Sequence, residues 1–175
     1  MLLHYLKNKE NKDKKFARSL YDITIKKSLH IINKELNVKK EFDISFELTS
    51  LLLISILIGS SNKTRKGEES FRDSLVYIFI DDLDHSFRTI GIYDMKIGKY
   101  VKKYTKKFYF RIPILENIFI AQDIHLFEDY LNKFKIIDKL EVNSFVKNLY
   151  KDLNILIKRA KSIKNTKSVY KDLFK

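Results

Sequence analysis

Apolar residues recur every three or four positions along nearly the whole chain, and α-helix is the regular structure that gathers such a spacing onto one face. The first run, 16–36, aligns Tyr21, Ile25, Leu29, Ile32 and Leu36. The second, 45–60, is apolar almost throughout, with Asp43 or Ser45 as its cap, Glu47 in its first turn, and Gly59, Ser60, Ser61 and Asn62 stopping it. The third, 68–90, turns Val76, Ile80, Leu83, Phe87 and Ile90 inward and stops at Gly91. The fourth, 95–111, has Asp94 as its cap and Ile97, Val101, Tyr104 and Phe108 as its stripe. Pro113 is expected to end it, since proline lacks an N–H and disfavours helix in the residue before it. A fifth helix over 116–134 would bury Ile120, Ile124, Phe127, Leu131 and Phe134, and a sixth over 141–161 Val146, Leu149, Leu153, Leu156 and Ala160. One Pro and four Gly in 175 residues are too few for the turns of an all-β fold. The sequence therefore predicts an all-α protein, one compact bundle of about six helices over 16–161. A polar lead, 1–15, precedes it and a basic tail, 162–175, follows.

The absence of Cys removes disulfides, thiolate metal sites, iron–sulfur clusters and a thiol nucleophile. No GxGxxG or GxxxxGK[ST] run occurs, so no glycine-rich phosphate cradle is legible. No signal peptide is evident: Met1, Leu2 and Leu3 form only a short apolar patch before Lys7, with no small-residue cleavage site beyond. The most apolar stretch, LTSLLLISILI over 48–58, would be about 16 Å long as a helix. That is short of a hydrocarbon layer of ~30 Å. It reads as a buried core helix, with contact to a membrane interface or an apolar client as the alternative.

The formal net charge is +13, and it is localised. Residues 95–111 hold six Lys, one Arg and no acid; residues 158–175 hold six Lys, one Arg and one Asp; elsewhere 21 basic residues face 21 acidic ones. Lys96, Lys99, Lys103 and Lys106 form a stripe offset from the apolar one, with Lys102 and Lys107 alongside, so the fourth helix is basic and amphipathic. Such a face suits three settings: open solvent, an anionic membrane surface, or RNA phosphates. Lys outnumbers Arg 29 to 6, which argues against base-specific readout and so against sequence-specific DNA binding.

Potential ligands are densest at Asp81-Asp82-Leu83-Asp84-His85. On a helix Asp81, Asp84, His85 and Arg88 share a face, which admits a carboxylate–histidine metal site or an acid–base pair. The plainer reading is a solvated face with an Asp84–Arg88 pair at i, i+4. No ExxH pair supports a di-iron bundle. His4 and His30 have no ligand spacing; His125 lies beside Asp123 and Glu128 on the fifth helix, which reads as a polar face with a metal role as the lesser alternative; no nucleophile–base pairing is legible. No readable enzyme signature is therefore present and no metal or cofactor is expected, with a metal-dependent helical enzyme built on Asp81, Asp84 and His85 as the remaining alternative.

Asp82 and Asp84, then Arg88, Gly91 and Asp94, then Gly98, Lys99, Val101, Lys102, Phe108, Tyr109 and Arg111 follow in an order and spacing that resemble the ubiquinol–cytochrome c chaperone family. The family pattern is an acidic pair, an Arg-containing glycine turn with Asp, and a basic helix ending in aromatics and Arg. The resemblance extends back through Ala17–Tyr21 and Phe46-Glu47-Leu48, covering about 16–111. Phe87 stands where the family usually has Leu, Phe110 where it has Gly, and Leu52 where it often has His. The resemblance implies an all-α, non-enzymatic chaperone that binds newly made cytochrome b and promotes assembly of ubiquinol:cytochrome c reductase, respiratory complex III. It implies, as further partners, the ribosome or an anionic membrane surface and a small helper protein. It also implies a cytoplasmic protein peripheral to the inner membrane, or one on the matrix side in mitochondria. On this reading Lys96, Lys99, Lys102, Lys103 and Lys106 meet the partner, Gly91 and Gly98 let two helices meet, and Arg88 with Asp94 fixes the turn. The alternative function is a sequence-independent RNA-, ribosome- or membrane-surface-binding helical module.

Overall fold

The computed structural model describes residues 2–36, 42–61, 68–136 and 142–162. Six α-helices follow one another: α1 (Leu2–His30), α2 (Phe42–Gly59), α3 (Glu68–Thr89), α4 (Asp94–Ala121), α5 (Ile124–Lys133) and α6 (Val142–Ser162). A π-helical turn, Ile31–Leu36, prolongs α1. No strand occurs among the described residues. Leu36 is described in backbone only, His4 likewise, and the basic tail from 163 onward lies outside the described residues.

α2 is the centre of the bundle. Every residue from Phe46 to Leu57 is buried, because the sequence offers no polar face to leave in water. At 18 residues it is longer than the eleven-residue apolar core suggests, and by length and composition it could cross a membrane. In the bundle 72% of it is buried, packed against α1, α4 and α6. Its last residue, Gly59, serves close approach: a Cβ there would lie 2.3 Å from the Ala160 Cβ and 2.6 Å from the Ile157 carbonyl oxygen. α6 needs that space to lie on α2, and its stripe Val146, Leu149, Leu153, Leu156 and Ala160 is buried as expected.

Several expectations are corrected, among them that for Ile90, expected inward, which is 55% exposed at the end of α3. α1 begins at Leu2, so the polar 1–15 lead is helical; a missing apolar stripe speaks to burial, and Lys and Glu are themselves good helix formers. The inward face of α1 runs through Ala17, Leu20, Tyr21, Thr24, Ser28, Ile31 and Ile32, and Leu29 is 36% exposed. Thr24 and Ser28 tolerate burial because their hydroxyls are satisfied: Thr24 donates to the Leu20 carbonyl at 2.9 Å, and Ser28 accepts from Thr49 at 3.1 Å. Pro113 lies inside α4, which continues to Ala121 with Leu115, Ile118 and Phe119 buried. The fifth helix is consequently divided. Gln122 takes the left-handed conformation at φ 53°, and Asp123 caps α5 by accepting from the His125 and Leu126 N–H groups. Ile120, expected inward, is 72% exposed on the end of α4.

Candidate functional site

The α3–α4 corner is built on Gly91. Its φ of +82° suits glycine, and its N–H donates to the Arg88 carbonyl while the Ile92 N–H reaches back to that of Phe87, both at 3.0 Å. These are the paired bonds of a Schellman stop. Arg88 spans the corner, its Nε donating to Asp84 at 2.8 Å and its Nη1 to Asp94 at 2.6 Å. Asp94 stands in the first turn of α4; the cap position is held by Tyr93, with no side-chain cap bond. Arg88 and Asp94 are both exposed, so this bridge orients the corner more than it stabilises it.

The other acidic residues of α3 part ways. Asp82 accepts from the Tyr21 hydroxyl at 2.7 Å, tying α3 to α1; burial first and the adjacent carboxylate second push the Tyr21 hydroxyl far above the usual tyrosine range. Asp81 lies 3.7 Å from Arg18. His85 is exposed, as are His30 and His125. Among the described residues no three His, Asp or Glu converge on a point where a metal could sit.

The outer line of α4 is cationic. Lys96, Lys99, Lys102, Lys103 and Lys106 are all exposed. Lys107 differs, lying 3.5 Å from Asp43 and 4.3 Å above the Tyr104 ring, whose hydroxyl donates to the same Asp43 at 2.7 Å. Gly98 faces solvent with nothing within 4 Å of where a Cβ would be, so the meeting of α3 and α4 rests on Gly91 and makes no demand on Gly98. Tyr109 and Phe110 are half exposed.

One residue further, Arg111 turns inward and is 4% exposed. Its Nε donates to one oxygen of Glu47 at 2.6 Å and its Nη2 to the other, while Nη1 donates to the Lys107 carbonyl at 3.0 Å. Its guanidinium carbon lies 4.1 Å from the centre of the Phe134 ring, just beyond α5. Burial pushes the Glu47 carboxyl above the usual range and the Arg111 guanidinium pulls it back. The bidentate pair joins α2, α4 and the end of α5. The sequence places Glu47 only in a first turn; its partner 64 residues away left no local signal.

Between α3 and α4 runs an open cleft of about 460 Å³. Val76, Ile80 and Ile112 are partly buried along it, and Tyr77 and Tyr109, 66% and 51% exposed, stand at its edge. Arg72 also lines it, with a buried Nε that has no hydrogen-bond partner among the described residues.

Residues 34–128, 95 of the 175, match the family model described as Ubiquinol-cytochrome C chaperone. That span contains α2, α3, α4 and half of α5, hence Glu47, Arg88, Gly91 and Arg111. Among solved structures, the fold resembles the crystal structure of the Cbp3 homolog from Brucella abortus, with a TM-score of 0.78 at 19% identity. The alignment covers 98% of this chain and 94% of that one. No curated protein sequence matches.

Proposed function

This chain belongs to the ubiquinol-cytochrome C chaperone family, and we propose that it acts by binding newly made cytochrome b and holding it for incorporation. The family places it in the assembly of complex III as a chaperone. The finer reading concerns the client and where it sits. Cytochrome b is made as apolar helices joined by polar loops, so its handler needs an apolar surface that water can be expelled from.

The observation that carries the reading is the α3–α4 cleft. Val76, Ile80 and Ile112 supply an apolar floor, and Tyr77 and Tyr109 supply large, stiff side chains of the kind that dominate binding surfaces. Binding of this sort is reversible and makes no covalent bond, which is what a chaperone must do to let go.

The test is co-purification from the native host. Tagged protein is expected to retain cytochrome b, and Tyr77→Ala with Tyr109→Ala to lose at least tenfold of it while keeping the melting temperature. Retention of the same amount by the double variant would remove the cleft. Normal complex III after deletion of the gene would remove the client.

A further inference from the structure

The lysines of α4 lie away from that cleft and ask for an explanation of their own. Met95, Lys99, Lys102, Lys106, Phe110 and Ile120 are separated by 4, 3, 4, 4 and 10 residues, and at about 100° per residue all fall in one sector of the helix. All are exposed, Met95 at 99%, Phe110 at 59% and Ile120 at 72%. A 28-residue helix is about 42 Å long, so this is an extended face, with Met95 at its start, the lysines in its first half, and Phe110, Pro113, Asn117 and Ile120 beyond them.

We propose that this face of α4 rests on an anionic lipid surface, its lysines at the headgroups and Met95, Phe110 and Ile120 sunk into the boundary with the acyl chains. Charge complementarity is the first argument. No acidic residue occurs from Met95 to Arg111; Asp94 is engaged by Arg88 and Asp43 by Lys107 and Tyr104, and the exposed Glu116 lies beyond the lysines, flanking the stretch between Phe110 and Ile120. The potential of the face is therefore left for an external anion, with Lys96 and Lys103 widening it on one side.

The side-chain chemistry separates lipid from RNA. Every exposed cation on the face is Lys; the one Arg of α4 is buried against Glu47. Met95 and Ile120 offer a base neither a stacking plane nor a hydrogen bond, whereas the water–acyl boundary takes such side chains favourably. The apolar stripe of α4 is spent inside the bundle, so the attraction to lipid rests on the clustered lysines, with the few exposed apolar side chains adding to it. The proposal is independent of the client cleft, since neither Tyr77 nor Arg72 takes part.

The chain has no Trp, so Phe110→Trp provides a unique reporter. The protein is mixed with vesicles of phosphatidylcholine alone, with vesicles containing about one-third phosphatidylglycerol, and with polyuridylate RNA. The expected result is a blue shift of the reporter and co-sedimentation with the anionic vesicles only. Each lysine near such a surface contributes about a fivefold factor. Replacing Lys99, Lys102 and Lys106 by Gln should thus lower the partition at least tenfold. Phe110→Ser with Ile120→Ser should lower it severalfold without changing its salt dependence, because no charge is removed. Equal partition of the Lys→Gln variant would overturn the proposal. So would an unshifted reporter on bound protein, or polyuridylate held more tightly than the vesicles.

Discussion

Arg111→Met is the sharpest perturbation the bundle offers. The substitution keeps the length of the side chain and its packing on Phe134, but it strands the Glu47 carboxylate, which is 5% exposed, among α2, α4 and α5. Breaking one side of a buried pair costs about 3–5 kcal/mol, because the remaining charge has neither water nor partner. A domain of ordinary stability has about 5–15 kcal/mol in total. Urea unfolding followed by far-ultraviolet circular dichroism, at a slope of about 2 kcal/mol per molar, should therefore show the midpoint falling by about 2 M. The double variant Glu47→Met with Arg111→Met removes both charges and should recover most of the loss, giving a large favourable coupling in the cycle.

The pH dependence adds a signature that lost packing would not produce. Burial already raises the Glu47 carboxyl, and without the guanidinium only the more distant charge of Lys107 opposes that rise. A raised folded pKa means the folded state holds the proton more tightly than the unfolded one, whose carboxyl titrates near about 4.3. The proton-linked stability is thus present below that value and is lost as pH climbs through the folded pKa. Arg111→Met should stand closest to the wild type near pH 4 and furthest from it near pH 7. A penalty under about 1 kcal/mol, or one that does not grow with pH, would refute the reading of a buried, charge-bearing clasp.

Two further outcomes follow from glycines. Gly59→Val should cost at least about 2 kcal/mol by overpacking, because a Cβ would stand 2.3 Å from Ala160 and 2.6 Å from a backbone oxygen that cannot move aside; Ala160→Gly should rescue only part of it. Gly91→Val should lower the melting temperature although the space around it is open, because the cost lies in φ +82°; an unchanged melting temperature would show the corner can be made another way.

How much of this was legible depended on whether an element's neighbours were chosen by apolar period or by close approach. α6 and the buried side of α4 follow their stripes, since Leu149, Leu153, Tyr104 and Phe108 meet broad apolar surfaces where size and spacing decide. α1 does not, because its buried face includes Thr24 and Ser28, the latter bonded to Thr49 of α2, small hydroxyl residues that a hydropathy pattern assigns to water. The fifth stripe failed differently: Ile120 and Ile124 keep the helical spacing across a break at Gln122, and only Asp123, read as a cap, could have signalled it. Of the candidate site, the Gly91 corner and the exposed lysines could be read from residue order. The Glu47–Arg111 clasp depends on a pairing across the fold.

Pro113 shows how tertiary packing can outweigh a strong local rule, and why that matters for function. Inside a helix proline costs about 3 kcal/mol through its missing N–H and its clash with the preceding turn. Here its ring is exposed and the carbonyl it fails to bond belongs to Tyr109, itself half exposed. Buried residues hold the helix on both sides of it, Arg111 by its clasp before and Leu115, Ile118 and Phe119 after. Full burial of three such apolar side chains gains about 1.5–3 kcal/mol each, which exceeds the proline term. Had α4 stopped at residue 111, Ile120 would belong to another element and need not share a line with Lys99 and Lys106. The continuity of α4 through Pro113 is what makes one surface out of the lysines and the apolar residues beyond them.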